Sequence, residues 1–390
     1  MNNKSECCGC TACQQICPPQ CITMHSDEEG FLYPKINESQ CIHCKKCEAV
    51  CPIHNPLLPK GKTEVYVGYA NNQEIRRASS SGGIFSLAAE YVLKRNGVVF
   101  GAAFDDAFGV HHICIETEEE LCKLRGSKYV QSSLEDTYAQ AKKCLLRGRW
   151  VLFSGTACQI AGLKKYLGKE YDYLLTIDVL CHGVPSPKVW KLYLEDQERK
   201  HNARITSVSF RDKELGWKLF SMKIQFENGR EYSIPFSKDQ FMNMFLSNID
   251  LRPACYDCRF KAFPRASDLT IGDCWGVENH MPEMDDDQGT SVILVHTEKG
   301  QEVLNELQND LMLQKAELDQ VLPPSADSRK SVAVHPMRDK YWADLQAGKS
   351  FDNVHNYVKQ NIVKRVLGYL YIIKLQIGKS SCALRKRKDT

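Results

Sequence analysis

Two cysteine runs with one spacing constrain the start of this chain more than any other feature. The runs read Cys7-x2-Cys10-x2-Cys13-x3-Cys17-Pro18 and Cys41-x2-Cys44-x2-Cys47-x3-Cys51-Pro52. A disulfide framework would also use many cysteines, but such scaffolds are usually short and secreted. This chain has 390 residues and starts with the polar stretch MNNKSEC, which does not resemble a signal peptide. We therefore expect a reducing, cytoplasmic setting in which these cysteines act as thiolate ligands of a metal.

The spacing of each run, together with the proline that ends it, is typical of bacterial ferredoxins with two [4Fe-4S] clusters. In such proteins the first three cysteines of a run bind one cluster, and the fourth binds the other. The expected ligands are Cys7, Cys10, Cys13 and Cys51 for cluster one, and Cys41, Cys44, Cys47 and Cys17 for cluster two. Structural zinc is the alternative, but it gives no reason for the third cysteine or the proline of each run. Cys8 and Cys21 fall outside the spacing, and we interpret them as apolar fillers.

The pattern of the chain changes after the second run. We expect a two-cluster ferredoxin domain over 1–55, a linker over 56–63, and two further domains over 64–150 and 151–320. From residue 64 onward, strand and helix patterns alternate, which favours parallel pairing. After residue 203 the patterns indicate antiparallel strands, with Asn228-Gly229 as a hairpin turn. The predicted fold class is therefore α+β with α/β character, built on a mixed sheet.

The last segment, 321–390, is predicted to be a basic helical tail. Residues 361–390 contain eight Lys or Arg and one Asp around the apolar stretch VLGYLYII. An ordinary C-terminal helix with a solvated basic end explains this pattern, and so does peripheral contact with an anionic membrane surface or an acidic partner. The sequence has no uninterrupted run of about 18 apolar residues that would predict a membrane span. We expect no nucleic-acid partner.

Four cysteines in the larger part of the chain form a second candidate metal site. Cys158 and Cys181 each follow a predicted strand, and the carboxyl ends of parallel strands point to one edge of a sheet. Cys255 and Cys258 supply a further Cys-x2-Cys pair. Cys274 is a reserve candidate. The remaining cysteines, interpreted as small apolar residues of the core, are Cys114, Cys122, Cys144 and Cys382.

Two loops have the residue types that bind phosphate. Ser79 to Gly83 precedes a predicted helix, where free N–H groups and the helix dipole favour an anion. Arg125 to Tyr129 offers further donors and an aromatic ring. Neither loop is a Walker A motif, and no G-x-G-x-x-G follows a strand. A serine with glycines at the start of a helix is also common without any ligand.

Eight sequence blocks, in this order, resemble the coenzyme F420 hydrogenase/dehydrogenase beta-subunit family, which includes 7-hydroxymethyl chlorophyll a reductase. The blocks are SSSGGIFS, VVFGAAFD, LRGSKYVQSS, VLFSGTACQIAGLKKYL, IDVLCHGVPSPKVW, FRDKELGWK, RPACYDCRFK and SDLTIGDCWG. The resemblance covers residues 1 to about 300 and assigns 64–150 and 151–320 to the family's N- and C-terminal domains. Two positions depart from the family pattern, because GTACQ has alanine where proline is expected and Cys274 replaces an aromatic residue.

The resemblance implies that the larger part of the chain is a mixed-sheet domain with FAD and a third [4Fe-4S] cluster, and that coenzyme F420 is a possible substrate. It implies that the third cluster is ligated by Cys158, Cys181, Cys255 and Cys258. The flavin contacts that it implies are Ser80, Ser81, Gly82, Gly83, Gly126, Ser127, Lys128 and Tyr129. Candidates for anchoring or protonating the substrate are Lys128, His182 and Arg211, together with Arg125 and Lys213; surface charge or support of the fold is the alternative for each.

The expected function is an iron–sulfur flavoprotein oxidoreductase. It would pass electrons between a ferredoxin or another one-electron partner and a small two-electron substrate or F420-like cofactor, because a flavin handles both kinds of transfer. The alternative is a non-catalytic electron-transfer subunit of a larger redox complex or of a glycan-synthesis pathway. A third hypothesis is a scaffold protein that uses its metal only for structure.

Overall fold

The computed structural model of the chain describes residues 3–59 and 61–358. The predicted tail 321–390 is therefore described only in its first part, and the basic stretch 361–390 lies outside the described residues, as does Cys382. Within the described ranges, every helix is too short or too polar to reach across a bilayer.

The two cysteine runs fold in the same way, as their shared spacing predicts. Thr11 and Lys45 hold the same position in the two runs, and both have left-handed backbones, with φ of 57° and 59°. Each is followed by a single helical turn, α1 (Ala12–Gln15) or α2 (Lys46–Ala49). Left-handed residues other than glycine are uncommon and persist only where the surroundings hold them. Their recurrence supports a duplicated cluster-binding loop.

The strands of the described residues form three sheets. In chain order they are β1 (Ile22–Ser26), β2 (Leu32–Ile36), β3 (Glu64–Ala70), β4 (Val98–Phe104), β5 (Val110–Ile115), β6 (Val151–Thr156), β7 (Leu174–Val179), β8 (Ile205–Asp212), β9 (Ser221–Phe226), β10 (Glu231–Pro235), β11 (Leu269–Asp273), β12 (Ser291–Val295) and β13 (Leu311–Lys315). The ferredoxin module contributes the β1–β2 hairpin, and β10-β9-β8 form a small antiparallel sheet.

The largest sheet is mixed, as the sequence predicts, and has the order β13-β3-β12-β11-β7-β6-β4-β5. Strands β4, β6, β7 and β11 run parallel to their neighbours within that set. Strands from both 64–150 and 151–320 belong to this one sheet. The alternation after residue 64 predicts parallel pairing of the early strands, but β3 is antiparallel to β12 and β13. The alternation of strands and helices does not reveal this, because β12 and β13 come from far later in the chain.

The remaining helices cover the sheets and carry the loops of the candidate sites. They are α3 (Gln73–Ala78), α4 (Ile84–Leu93), α5 (Leu121–Leu124), α6 (Thr137–Leu146), α7 (Ala157–Leu167), α8 (Pro187–His201), α9 (Gln240–Leu246), α10 (Val277–His280), α11 (Glu298–Glu306), α12 (Leu318–Val321), α13 (Arg338–Gln346) and α14 (Phe351–His355). The turn at Asn228-Gly229 joins β9 to β10 as predicted, with Gly229 left-handed at φ 78°.

The ferredoxin module packs against the large sheet through an apolar cluster. Cys10 and Ala12 from the first run and Val50 from the second are buried with Phe100 of β4 and Ile160 of α7. Burial of this kind contributes about 25 cal/mol per Å² of apolar surface. The module is therefore held against the α6–α7 side of the sheet, next to the loops that follow β6 and β7.

Candidate functional site

In each cysteine run, the fourth cysteine lies near members of the other run. Burial raises the pKa of the Cys13 thiol to about 12, and among the thiols Cys7 and Cys51 add most to the rise, with a smaller contribution from Cys47. Burial likewise raises the pKa of Cys47, and Cys17 is the thiol that contributes there. These neighbours agree with the crossed ligand sets that the spacing predicts.

The two runs differ in exposure. Cys10 of the first run is buried against the large sheet, whereas Cys44 of the second run is exposed. Ile42, beside Cys44, has 63% of its surface exposed. Lys45 and Lys46 are exposed as well. The second run is thus the part of the module that another protein can reach.

The four cysteines of the second candidate metal site line a single cavity of about 120 Å³. Cys158 follows β6, Cys181 follows β7, and Cys255 and Cys258 lie shortly after Arg252. A cavity needs only about 10–15 Å³ to hold one water molecule, so this one has room for a much larger group. The walls are rich in sulfur and include no carboxylate other than Glu6 and Asp257. The structure brings together all four residues that the sequence analysis proposed.

Sheet pairing explains why these cysteines meet. Strands β6 and β7 are parallel, with Thr156 opposite Val179, so the first turn of α7, which carries Cys158, and the loop after β7, which carries Cys181, lie at one edge of the sheet. An antiparallel bridge between Pro185 and Leu251 brings the later segment to that edge. The Cys-x2-Cys pair follows four residues after this bridge.

Burial makes these thiols costly to ionise. It raises the pKa of Cys255 to about 12 and that of Cys181 further, because a thiolate loses its hydration in the cavity. A metal that binds thiolates displaces their protons and offsets this cost. The donor set therefore fits an iron–sulfur cluster, whose ligands are cysteine thiolates.

The structure also places Cys8 at this cavity, a position that the spacing rule did not predict. Cys8 packs against the apolar cluster beneath the module, as a filler would. Its thiol, however, lies against Cys158, and this contact together with burial raises the pKa of Cys158 well above its ordinary value. Cys8 follows directly after Cys7, a predicted ligand of cluster one, so it lies between the two candidate metal sites.

Among the other described cysteines, Cys122 is exposed, so its assignment to the core is wrong. Cys21 is buried, and its Sγ lies 3.4 Å from the Sγ of Cys17. Cys274, the reserve candidate, is buried in an apolar cluster with Trp217 and Val277, away from the cavity walls. The structure therefore gives no support for Cys274 as a competing ligand.

A separate cleft of about 830 Å³ opens between the loop after α3, the loop after α5 and strand β8. Its basic wall residues are Arg77, Lys123, Arg125, Lys128, Arg211 and Lys213, and its acidic ones are Asp212, Glu214 and Asp287. The excess of cations suits an anionic ligand. The volume lies within the range of about 300–1,000 Å³ that is usual for small-molecule sites.

Two lysines of the cleft are bound by main-chain oxygens. Lys128 Nζ donates to the carbonyls of Arg125 and Gly126 at 3.0 and 3.1 Å. Lys213 Nζ donates to those of Arg76 and Gln288 at 2.6 and 2.8 Å. Burial lowers the pKa of each lysine to about 8. A bound phosphate would favour the charged form of both, so these residues fit an anionic cofactor such as a dinucleotide.

Only part of the predicted flavin set lines this cleft. Ser80, Gly126, Ser127 and Lys128 do, and Ser80 Oγ accepts hydrogen bonds from the N–H and the hydroxyl of Ser127, which joins the two predicted loops.

Ser81, Gly82 and Gly83 lie behind the wall of the cleft and serve packing. Gly82 N–H donates to Ser291 Oγ at 2.9 Å, and a Cβ on Gly82 would come within 2.6 Å of the Gly68 oxygen. Gly83 is left-handed with φ 93°, which lets α4 begin close to β3. Glycine is therefore needed at 82 and 83 because strand β3 packs closely against them, and no phosphate is required to explain these residues.

Arg211 is held rigidly at the edge of the cleft. Its two terminal nitrogens donate to Asp273 at 2.7 and 3.1 Å, and one of them also donates to the Tyr129 hydroxyl at 3.0 Å. The ring of Tyr129 stacks on Phe245 with a centroid distance of 5.0 Å. Tyr129 therefore positions Arg211, and its ring is not part of the cleft wall.

His182 lies apart from Lys128 and Arg211. It lines the cysteine cavity, where its Nε2 is 2.6 Å from Asn248 Oδ1 and its Nδ1 is 3.6 Å from Asp327. Burial lowers its pKa. The three residues predicted as catalytic are thus divided between two sites. Arg125, also a candidate, pairs with Glu90 at 3.2 Å.

Comparison with known families matches three segments of the chain. Residues 6–55 match a model described as a 4Fe-4S dicluster domain. Residues 65–137 and 148–321 match the models for the N terminus and the C terminus of the coenzyme F420 hydrogenase/dehydrogenase beta subunit.

Among solved structures, the xenon-derivatised F420-reducing [NiFe] hydrogenase complex from Methanosarcina barkeri contains a similar chain. The two chains share 18% identity with a TM-score of 0.46, and the match covers 75% of this chain and 91% of that one. No curated protein matches this sequence.

Proposed function

Because the chain belongs to the coenzyme F420 hydrogenase/dehydrogenase beta-subunit family, we propose that it is an iron–sulfur flavoprotein oxidoreductase. It exchanges single electrons with a ferredoxin-like protein and two electrons with a small substrate or an F420-like cofactor. The observation that carries this proposal is the cavity in which Cys158, Cys181, Cys255 and Cys258 meet beside the dicluster module.

The proposal assigns three [4Fe-4S] clusters and one FAD to the chain. The crossed sets of the two runs hold two clusters, and the four cavity cysteines hold the third. FAD, when bound, supplies the conversion between one-electron and two-electron transfer.

The cationic cleft is the proposed flavin site. Lys128 and Lys213 bind the phosphates of the dinucleotide, and the hydrogen bonds between Ser80 and Ser127 hold the loop after α3 against the loop that carries Lys128. Arg211, which is fixed by Asp273 at the edge of the cleft, orients an anionic substrate or the flavin ring. Preorganised charges of this kind need no rearrangement when a ligand binds.

The exposed second run is the proposed face for the protein partner. Lys45 and Lys46 border exposed Cys44, and their charges attract an acidic protein. The first run, which is buried against the large sheet, faces the cysteine cavity through Cys8. The module thus has one face for a partner and one face for the rest of the chain.

Anaerobic reduction tests this function. Protein prepared without oxygen should carry flavin whose visible absorbance bleaches when reduced ferredoxin is added. Replacing Cys158 with alanine should slow that bleaching while the dicluster module is still reduced. Protein that releases no flavin on denaturation, or flavin that bleaches equally fast in the Cys158→Ala variant, would contradict the proposal.

The second candidate function is a relay subunit without a substrate of its own. It is favoured by the family itself, whose models describe a beta subunit of hydrogenases and dehydrogenases. Turnover of F420 or another small acceptor by the isolated chain would exclude a pure relay. If the flavin is reduced but turnover begins only when a partner subunit is added, the chain is a relay subunit.

A further inference from the structure

Arg252 is a fully buried cation at the junction of the ferredoxin module and the large domain. Its Nε donates to the main-chain oxygen of Cys7 at 2.7 Å, and Nη2 donates to the oxygen of Leu32 at 3.0 Å and lies 3.5 Å from Cys7 Sγ. Nη1 donates to Gln131 Oε1 at 2.8 Å. The guanidinium thus holds the loop that carries the first ligand of cluster one.

No carboxylate neutralises Arg252 among the residues that the structure describes. Its described partners are carbonyl and amide oxygens, the Cys7 sulfur, and the face of the Tyr33 ring, 4.2 Å from the guanidinium carbon. A buried charge without a counter-charge is costly, by several kcal/mol as an order of magnitude. A protein retains such a charge where an anion belongs beside it.

The same residue reaches the cysteine cavity. Gln131, which accepts its Nη1 hydrogen bond, lines that cavity, and the main-chain oxygen of Arg252 accepts the N–H of Cys255 at 2.9 Å. The guanidinium of Arg252 therefore lies beside Cys7 of the first run and one hydrogen bond away from the wall of the cysteine cavity.

We propose that Arg252 is the shared counter-charge of cluster one and of the cluster in the cysteine cavity, and that it raises the reduction potentials of both. This inference rests on the proposed function. Each cluster gains one negative charge when it accepts an electron, and a nearby cation stabilises the reduced form in a low-dielectric interior. A single charge acting on both clusters therefore shifts both potentials in the same direction.

The test is a redox titration of the anaerobically prepared full chain, followed by electron paramagnetic resonance. In Arg252→Gln, which removes the charge, the potentials of cluster one and the cavity cluster should both become more negative. Cluster two is the internal control, because none of the described hydrogen bonds of Arg252 goes to Cys17, Cys41, Cys44 or Cys47, and its potential should not move. Arg252→Lys, which keeps a charge, should shift the potentials less than Arg252→Gln.

Gln131→Glu provides a second variant that leaves Arg252 in place. The new carboxylate is nearly isosteric with the amide and neutralises the guanidinium. It should therefore make the potentials of cluster one and the cavity cluster more negative. This variant tests the inference if Arg252→Gln does not retain its clusters. Unchanged potentials in these variants, or an equal shift of all three clusters, would overturn the inference. The wild-type cluster number is measured first, and fewer than three clusters would instead contradict the proposed function.

Discussion

Lys213 donates from Nζ to the main-chain oxygen of Arg76 at 2.6 Å, so a half-buried cation is held at the cleft by carbonyl dipoles. A phosphate beside this lysine would form a hydrogen bond to a charged donor, worth about 1.5–3 kcal/mol. Lys213→Met should therefore weaken FAD binding by roughly 10- to 150-fold. Titration of the flavin-free protein with FAD measures this loss.

Lys123→Met is the matched control for that experiment. Lys123 also borders the cleft, but it is exposed and pairs with Glu120 at 2.8 Å. Its removal should change the affinity by less than about threefold, since exposed charges contribute little. Equal losses in the two variants would place the phosphates elsewhere.

The lowered lysine pKa values predict how binding depends on pH. Burial brings Lys128 and Lys213 to a pKa of about 8, so both are charged below pH 7 and lose their protons as the pH rises through 8. A bound phosphate raises these values again, so binding at pH 8 should take up protons, and the affinity should fall above that pH. Calorimetric titration in two buffers of different ionisation enthalpy measures the uptake. Binding without proton uptake at pH 8 would show that these lysines do not contact the ligand.

The cavity cysteines predict a loss of iron that is limited to one cluster. Cys181→Ser should lower the iron content by about four atoms per chain and leave the dicluster signals intact. Cys274→Ala is the control, because Cys274 is buried in an apolar cluster and its removal should leave the iron content unchanged. The third cluster would be disproved by full iron content in Cys181→Ser.

The cysteine runs and the strand ends show what can be inferred from the sequence. Spacing predicts the dicluster domain that the family comparison confirms, together with its eight ligands, because a cubane requires local loops of fixed length. Cys158 and Cys181 could be paired because β6 and β7 are parallel and adjacent, so their ends share one edge of the sheet.

Features that depend on distant contacts could not be inferred. The spacing rule gives no role to Cys8 or Arg252, whose positions depend on how the module packs against the large sheet. Gly82 and Gly83 suggested a phosphate loop, but their freedom from Cβ serves the close approach of Gly68 and Ala70. A glycine pattern alone does not distinguish a ligand from a neighbouring strand.

The partner face predicts a charge effect on electron transfer. Lys45→Glu with Lys46→Glu should slow reduction by an acidic ferredoxin, and the difference from wild type should shrink as salt increases, because exposed charges are screened. Lys94→Glu, an exposed lysine at the end of α4, should leave the rate unchanged. Stopped-flow reduction at low and high ionic strength gives the comparison. If the double variant and the wild type are reduced at the same rate at low salt, the second run is not the binding face for the protein partner.

The most direct measurement is the number of cofactors in each chain. The protein is purified without oxygen, and iron, acid-labile sulfide and released flavin are quantified together. The account predicts about twelve irons and twelve sulfides, as three cubanes require, with one FAD. About eight irons and no flavin would leave only the dicluster module and contradict the central claim that the cavity cysteines hold a third cluster beside a flavin.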